Sequence, residues 1–381
     1  MRERDYDRRY IIVDGASLPK NENNRVLYFD VLNILAAVSV VWIHFGNEVH
    51  WYDNSKAWYW CLFIQVICYW AVPVFFMLTG ATLLGYRSRY STNVFFKKRL
   101  FRTVLPYLFW GTVCIFIKSH TQEGFSLIQE SEKEYPFRYL VSILDVFLNN
   151  KMEPIYWFFP ALFGIYLCMP ALSVFADKKY RGQLNYLVFV GILTIAVIPF
   201  GFAMLKEHLG YDIVGWNNAM ALPMLSSFLL YPILGYWAST HNFNKGERIL
   251  CYIAAICSLL IRYFGLRTLS VRDGATNALY MNYMSFPALF LALGVFVFIR
   301  YFCERHDTTL RKIQSPLSKI ASCSLGIYLI HNLVINFMAK IPFFGKYTLR
   351  WYFIWPLFCY LFCLLVVYIV KKIPVIKHIF P

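Results

Sequence analysis

Two histidines stand inside apolar runs. His44 sits near the end of FDVLNILAAVSVVWIHFG (residues 29–46), and His331 lies within SCSLGIYLIHNLV (residues 322–334). Placing an ionisable group in a bilayer costs roughly 2.5–3.5 kcal/mol on insertion scales, so such groups mark work to be done. An imidazole changes charge near neutral pH and can take a proton from a hydroxyl or attack an activated carbonyl itself, which points to group transfer. At about 100° per residue, His44 falls within about 20° of Asn33 and about 40° of Asp30, so one polar stripe runs along the first apolar segment, with roughly 21 Å from acid to histidine. Ser324, Tyr328 and His331 are spaced i, i+4 and i+7, a second stripe on another helix. Two histidines at similar depth imply a shared polar chamber.

A basic cluster lies between these stripes in sequence. FFKKRLFRTVLPYLFW (residues 95–110) sets Arg99 and Arg102 at i, i+3, which shares a helix face and suits charge-assisted contacts to a phosphate-rich ligand. Ordinary cytosolic anchoring accounts for the adjacent Lys97 and Lys98.

The elements that must position these groups are membrane spans. Hydrophobic residues make up 59% of the 381, charged residues only 15%, and mean hydropathy is +0.49, which defines an all-α polytopic membrane bundle. With roughly 20 apolar residues per crossing, ten spans are expected near 26–46, 58–84, 99–117, 155–176, 183–205, 219–239, 247–266, 279–303, 316–339 and 349–370. Residues 1–25 show no signal-peptide pattern and are expected to be cytosolic. With both ends inside, cytosolic segments hold 25 of the 37 basic residues, the bias expected of inward-facing loops. The net charge of +16 then reflects loops beside anionic lipid and requires no nucleic acid. Residues 26–370 form one membrane domain, and 371–381 a cytosolic tail. Within the outer loop 118–153, Phe137, Leu140, Val141, Leu144, Phe147 and Leu148 repeat with helical spacing, which marks an interfacial helix, a roof over a cavity or a plain surface helix. The ten cysteines fall in or beside apolar spans without a CxxC pair and read as buried thiols rather than a metal site.

The segments YFDVLNILAAVSVVWIH, PVFFMLTGATLL, RLFRTVLPYL, YWFFPALFGIYLCMPAL, YPILGYW and SLGIYLIH, in this order over residues 26–370, resemble the membrane-bound acyltransferase-3 family. The likeness is to its stand-alone branch, which includes surface-polysaccharide O-acetyltransferases. The resemblance implies that His44 is the catalytic histidine, with Asp30, Tyr328 and His331 as further catalytic positions. It implies that Arg99 and Arg102 meet acyl-CoA, acetyl-CoA above all, as a donor substrate rather than a resident cofactor. Many members carry an arginine where this chain has Asn33, so at that donor-side position charge is replaced by a neutral hydrogen-bonding group. Glu153 and Trp157 are expected to meet the acceptor, a glycan or glycolipid at the cell (inner or plasma) membrane. In the chemistry so implied, His44 activates the acceptor hydroxyl while Tyr328 or His331 stabilises the oxyanion; an acyl-histidine intermediate is the other route. A polysaccharide or small-molecule exporter is the rival function, and an envelope-assembly scaffold a third. No matched inverted repeats favour transport.

Overall fold

A computed structural model describes residues 26–121, 125–128, 135–210, 216, 217, 220, 225, 227–374 and 376–380. The principal helices are α1 (Leu27–Phe45), α2 (Lys56–Cys68), α3 (Ala71–Leu83), α4 (Thr92–Arg99), α5 (Leu105–Thr121), α6 (Pro136–Leu148), α7 (Phe158–Leu172), α8 (Arg181–Gly191), α9 (Ile198–Leu209), α10 (Leu230–Thr240), α11 (Lys245–Asp273), α12 (Phe286–Arg305), α13 (Gln314–Ala321), α14 (Ser324–Ala339) and α15 (Trp355–Val370). No strand occurs among the described residues. The fold is an all-α polytopic membrane bundle.

Every expected span coincides with a helix, but not every helix is long enough to cross alone. Among the described residues, seven segments pass by length and hydropathy, and the α13–α14 pair, bent by 53°, makes up to an eighth. The helix α15 is apolar but has 16 residues. The sixth expected span falls partly outside the described residues, and its described helix is α10. The expected cytosolic segment 1–25 and much of the loop between 122 and 134 also lie outside them. The third span runs on to Thr121, past the boundary expected at 117, and Phe137, Leu140, Val141, Leu144 and Leu148 of α6 are exposed while Phe147 packs on the core.

Prolines explain the breaks. Pro106 has no N–H to offer the carbonyl four residues back, and its ring crowds it; the turn ahead of it relaxes into a π segment, Leu100–Val104. Pro199 stands in the same relation to the π segment Ile192–Val197. Pro73 faces Tyr69, where α2 gives way to α3. The α13–α14 bend frees carbonyls that need donors inside the membrane. Asn33 Nδ2 donates to Ala321 O at 3.3 Å, and Lys371 Nζ donates to Ser322 O at 2.8 Å.

Close packing comes from glycines. Between α3 and α10, a Cβ on Gly80 would lie 1.8 Å from Pro232 O, and one on Gly235 would lie 2.0 Å from Met77 O. The two backbones thus touch where neither has a side chain, the small-residue packing that membrane helices use in place of a hydrophobic drive. By contrast, α11 draws on local signals: Asn244 and Glu247 form a reciprocal capping box, and Gly274 ends it at φ 62°. Arg300, buried on α12, closes the end of α10 by donating from Nη1 to Ala238 O and His241 O, both at 2.8 Å. The C-terminal segment is packed rather than free. Trp110 Nε1 donates to Ile379 O at 3.1 Å, and Phe380 is buried with its ring 5.0 Å from that of Trp110.

Candidate active site

The helix α1 packs against α3, α13, α14 and α15, which brings the two stripes face to face. The His44 and His331 rings lie 5.0 Å apart at 46°. His331 is fully buried. Its Nδ1 is 2.8 Å from Tyr328 O and 3.2 Å from Ile327 O. A carbonyl can only accept, so Nδ1 carries the proton and Nε2 presents a lone pair. That Nε2 takes no hydrogen bond from any described group. His331 lines a small crevice of about 10 Å³, room for about one water, bounded by Ala37, Val40, Val41, Phe75, Ser324, Ile327 and Tyr328. The Ser324 hydroxyl, also buried, has no partner either.

Two expected oxyanion donors are committed elsewhere. A neutral His331 with its proton on Nδ1 offers the cavity a lone pair, which would repel an oxyanion rather than hold it. Tyr328 donates its single O–H proton to Ile155 O, while Tyr156 donates to Leu329 O at 2.6 Å. These reciprocal bonds clamp the turn before α7 to α14 and set Tyr328 5.6 Å from the His331 ring.

Glu153 is likewise not free. It is buried, paired with Lys118 Nζ at 2.9 Å, and accepts from Asn332 Nδ2 at 2.8 Å. Lys118 and Asn332 are polar groups the sequence reading passed over; a lone lysine at the end of an apolar run and an asparagine beside a membrane histidine were the available signals. Trp157 is half-buried, with its ring 5.4 Å from Phe228 and 5.5 Å from Tyr283.

Asp30 is not brought to the histidines. It stays about one helix length away on α1 and accepts a hydrogen bond from Ser318 on α13. Asn33 ties α1 to the α13–α14 bend, as described above. These two residues hold the bundle at the end opposite the histidine pair.

Arg99 and Arg102 sit in different surroundings. The π segment Leu100–Val104, with its wider turn, begins between them. Arg99 is half-buried, its guanidinium 5.7 Å from the Phe95 ring and 5.6 Å from the Tyr166 ring, with Nε unpartnered; Arg102 is exposed. If the two hold phosphates, the semi-buried Arg99 carries the larger share. Arg99→Ala is then expected to weaken acetyl-CoA binding about tenfold or more, and Arg102→Ala less, with each flattening the salt dependence. Calorimetry at two ionic strengths checks this, and unchanged affinity in both variants returns the pair to anchoring.

Residues 26–374 match the model of the acyltransferase-3 family, described as an acyltransferase domain. No curated protein and no solved structure matches the chain.

Proposed function

The chain belongs to the acyltransferase-3 family and is a multi-pass membrane acyltransferase, and from this premise we propose that it moves an acetyl or other short acyl group from cytosolic acyl-CoA to a hydroxyl of a cell-envelope or exported glycan. The observation that carries the reading is the facing pair of imidazoles, His44 half-buried and His331 buried, the latter fixed with a bare Nε2. Acyl transfer to a hydroxyl needs a base at the attacking oxygen. His44, the more accessible of the two, takes the hydroxyl proton as that oxygen bonds to the thioester carbonyl carbon; the carbon–sulfur bond then breaks, and the CoA thiolate leaves with a proton. His331, Tyr328 and the Ile155–Trp157 turn hold the geometry around it. Arg99 and Arg102 lie on the side that loop charges assign to the cytosol, where the donor is.

Sealed inside-out vesicles containing the protein and its host glycan test both chemistry and sidedness. Labelled acetyl-CoA added outside them is expected to deliver label to glycan, and the same donor added to right-side-out vesicles is not. Label that stays on CoA in both preparations would sink the proposal.

A further inference from the structure

Arg262 lies within the apolar run of α11 and is only 1% exposed. Arginine keeps its proton in proteins, so this is a full positive charge inside the bundle. No carboxylate among the described residues forms an ion pair with it, and its Nε and Nη1 have no hydrogen-bond partner. An unpaired buried charge is costly. What surrounds it is aromatic. The guanidinium carbon sits 3.5 Å from the centre of the Tyr69 ring, and Tyr69 stacks on Tyr283 at 4.2 Å and 13°. The hydroxyls of Tyr69 and Tyr231 donate to Met281 O and Tyr283 O, which fixes the rings and spends their protons. Stacking offsets part of the desolvation of the cation. It leaves the N–H groups of Nε and Nη1 unmatched, and those fit the oxygens of a carboxylate or phosphate.

The stack runs outward. Tyr283 is half-buried and meets the half-buried Trp157 at 5.5 Å. Arg262 is about 26 Å along α11 from Lys245 and about 17 Å from Asp273, nearer the end that loop charges place outside. It therefore lies away from Arg99 and Arg102. Its link to the histidines is short: Trp157 is two residues from Ile155, which accepts from Tyr328, whose ring is 5.6 Å from His331.

We propose that Arg262 recognises an anionic group, a carboxylate or phosphate, on the acceptor, with Trp157 and Tyr283 flanking the sugar that carries it. The identity of the ligand as acceptor rests on the acyl-transfer reading; the anion site does not. Sugar rings pack their apolar faces on aromatic rings, and a charge set behind such a platform selects acidic sugars over neutral ones.

The test is thermal unfolding of the purified full-length chain in neutral detergent, titrated with glucuronate, glucose 1-phosphate and glucose. At least one of the two anions is expected to raise the midpoint saturably, and glucose is not. In Arg262→Met the response should vanish, with affinity reduced about tenfold or more, while the unliganded midpoint stays level or rises because an unpaired charge has left the interior. Arg262→Lys should keep a weaker response. No anion shift in wild type, an equal shift in Arg262→Met, or a shift that sodium chloride reproduces at the same ionic strength overturns the proposal. So does an Arg262→Met chain that fails to fold while Arg262→Lys folds and ignores both anions, since the charge is then structural. Nanodiscs of phosphatidylglycerol and phosphatidylcholine separate the sources: stabilisation by the anionic lipid that abolishes the sugar response assigns the site to a headgroup and removes the acceptor. An acetyl-CoA shift should persist in Arg262→Met. Its absence in wild type would count against acyl transfer and leave the anion result standing.

Discussion

Replacing His44 with alanine is expected to lower acyl transfer by about 10²–10⁴-fold, the contribution a positioned general base makes, with the fold preserved. His44 forms no hydrogen bond among the described residues and is partly accessible, so its ring can be removed without stranding a buried partner. The pH dependence carries the diagnosis. A base must be neutral to accept a proton, so the wild-type rate should fall toward acid pH, and the residual rate of His44→Ala should lose that dependence. His331→Ala should also be slow, for a different reason: it removes a ring that holds its partner's orientation and empties a fully buried site, so its thermal midpoint should fall as well. Full activity in purified, folded His44→Ala would take this residue out of the chemistry. The comparison to make is kcat beside the unfolding midpoint for both variants.

The second large effect is structural. Gly80→Ala and Gly235→Ala each place a methyl group about 2 Å from a backbone carbonyl of the facing helix, and backbone cannot rotate aside as a side chain can. The α3–α10 pair must separate, at a cost of about 3 kcal/mol or more, enough to abolish a monodisperse peak in detergent. Gly164→Ala and Gly201→Ala are the controls, since a Cβ at either meets nothing within 4 Å. There the substitution should be neutral or stabilise by about 0.5–1 kcal/mol, because alanine has fewer unfolded conformations to lose. Equal midpoints for Gly80→Ala and Gly164→Ala would show that the helices do not touch at that crossing.

The sequence by itself determined the solvent, the helices and the placing of two histidines. Hydropathy marks a span because each must match the same apolar thickness, and the 100° helical step puts His44, Asn33 and Asp30 on one stripe wherever the helix ends up. The ordered motifs determined the family in the same way, being a property of the chain read along its length. The count of spans was less legible: a hydropathy window does not see that α13 and α14 meet at 53° or that α15 is short.

Only the tertiary structure decided what each polar group does, because a hydrogen bond depends on a partner that periodicity does not name. Tyr328 and Ile155 are separated by 173 residues, and Glu153 and Asn332 by 179; nothing local in either segment announces the other. The stripe put Tyr328 beside His331, but the Ile155 carbonyl took its proton and made it a clamp. Glu153 met Lys118 instead of open solvent, and Arg99 ended half-buried against Phe95 and Tyr166 while Arg102, inside the π turn, stayed exposed. Arg262 shows the same limit from the other side: its charge was visible in the chain, but its lack of an ion pair among the described residues and its stack on Tyr69, which in turn stacks on Tyr283, exist only once α2, α11 and the segment before α12 converge.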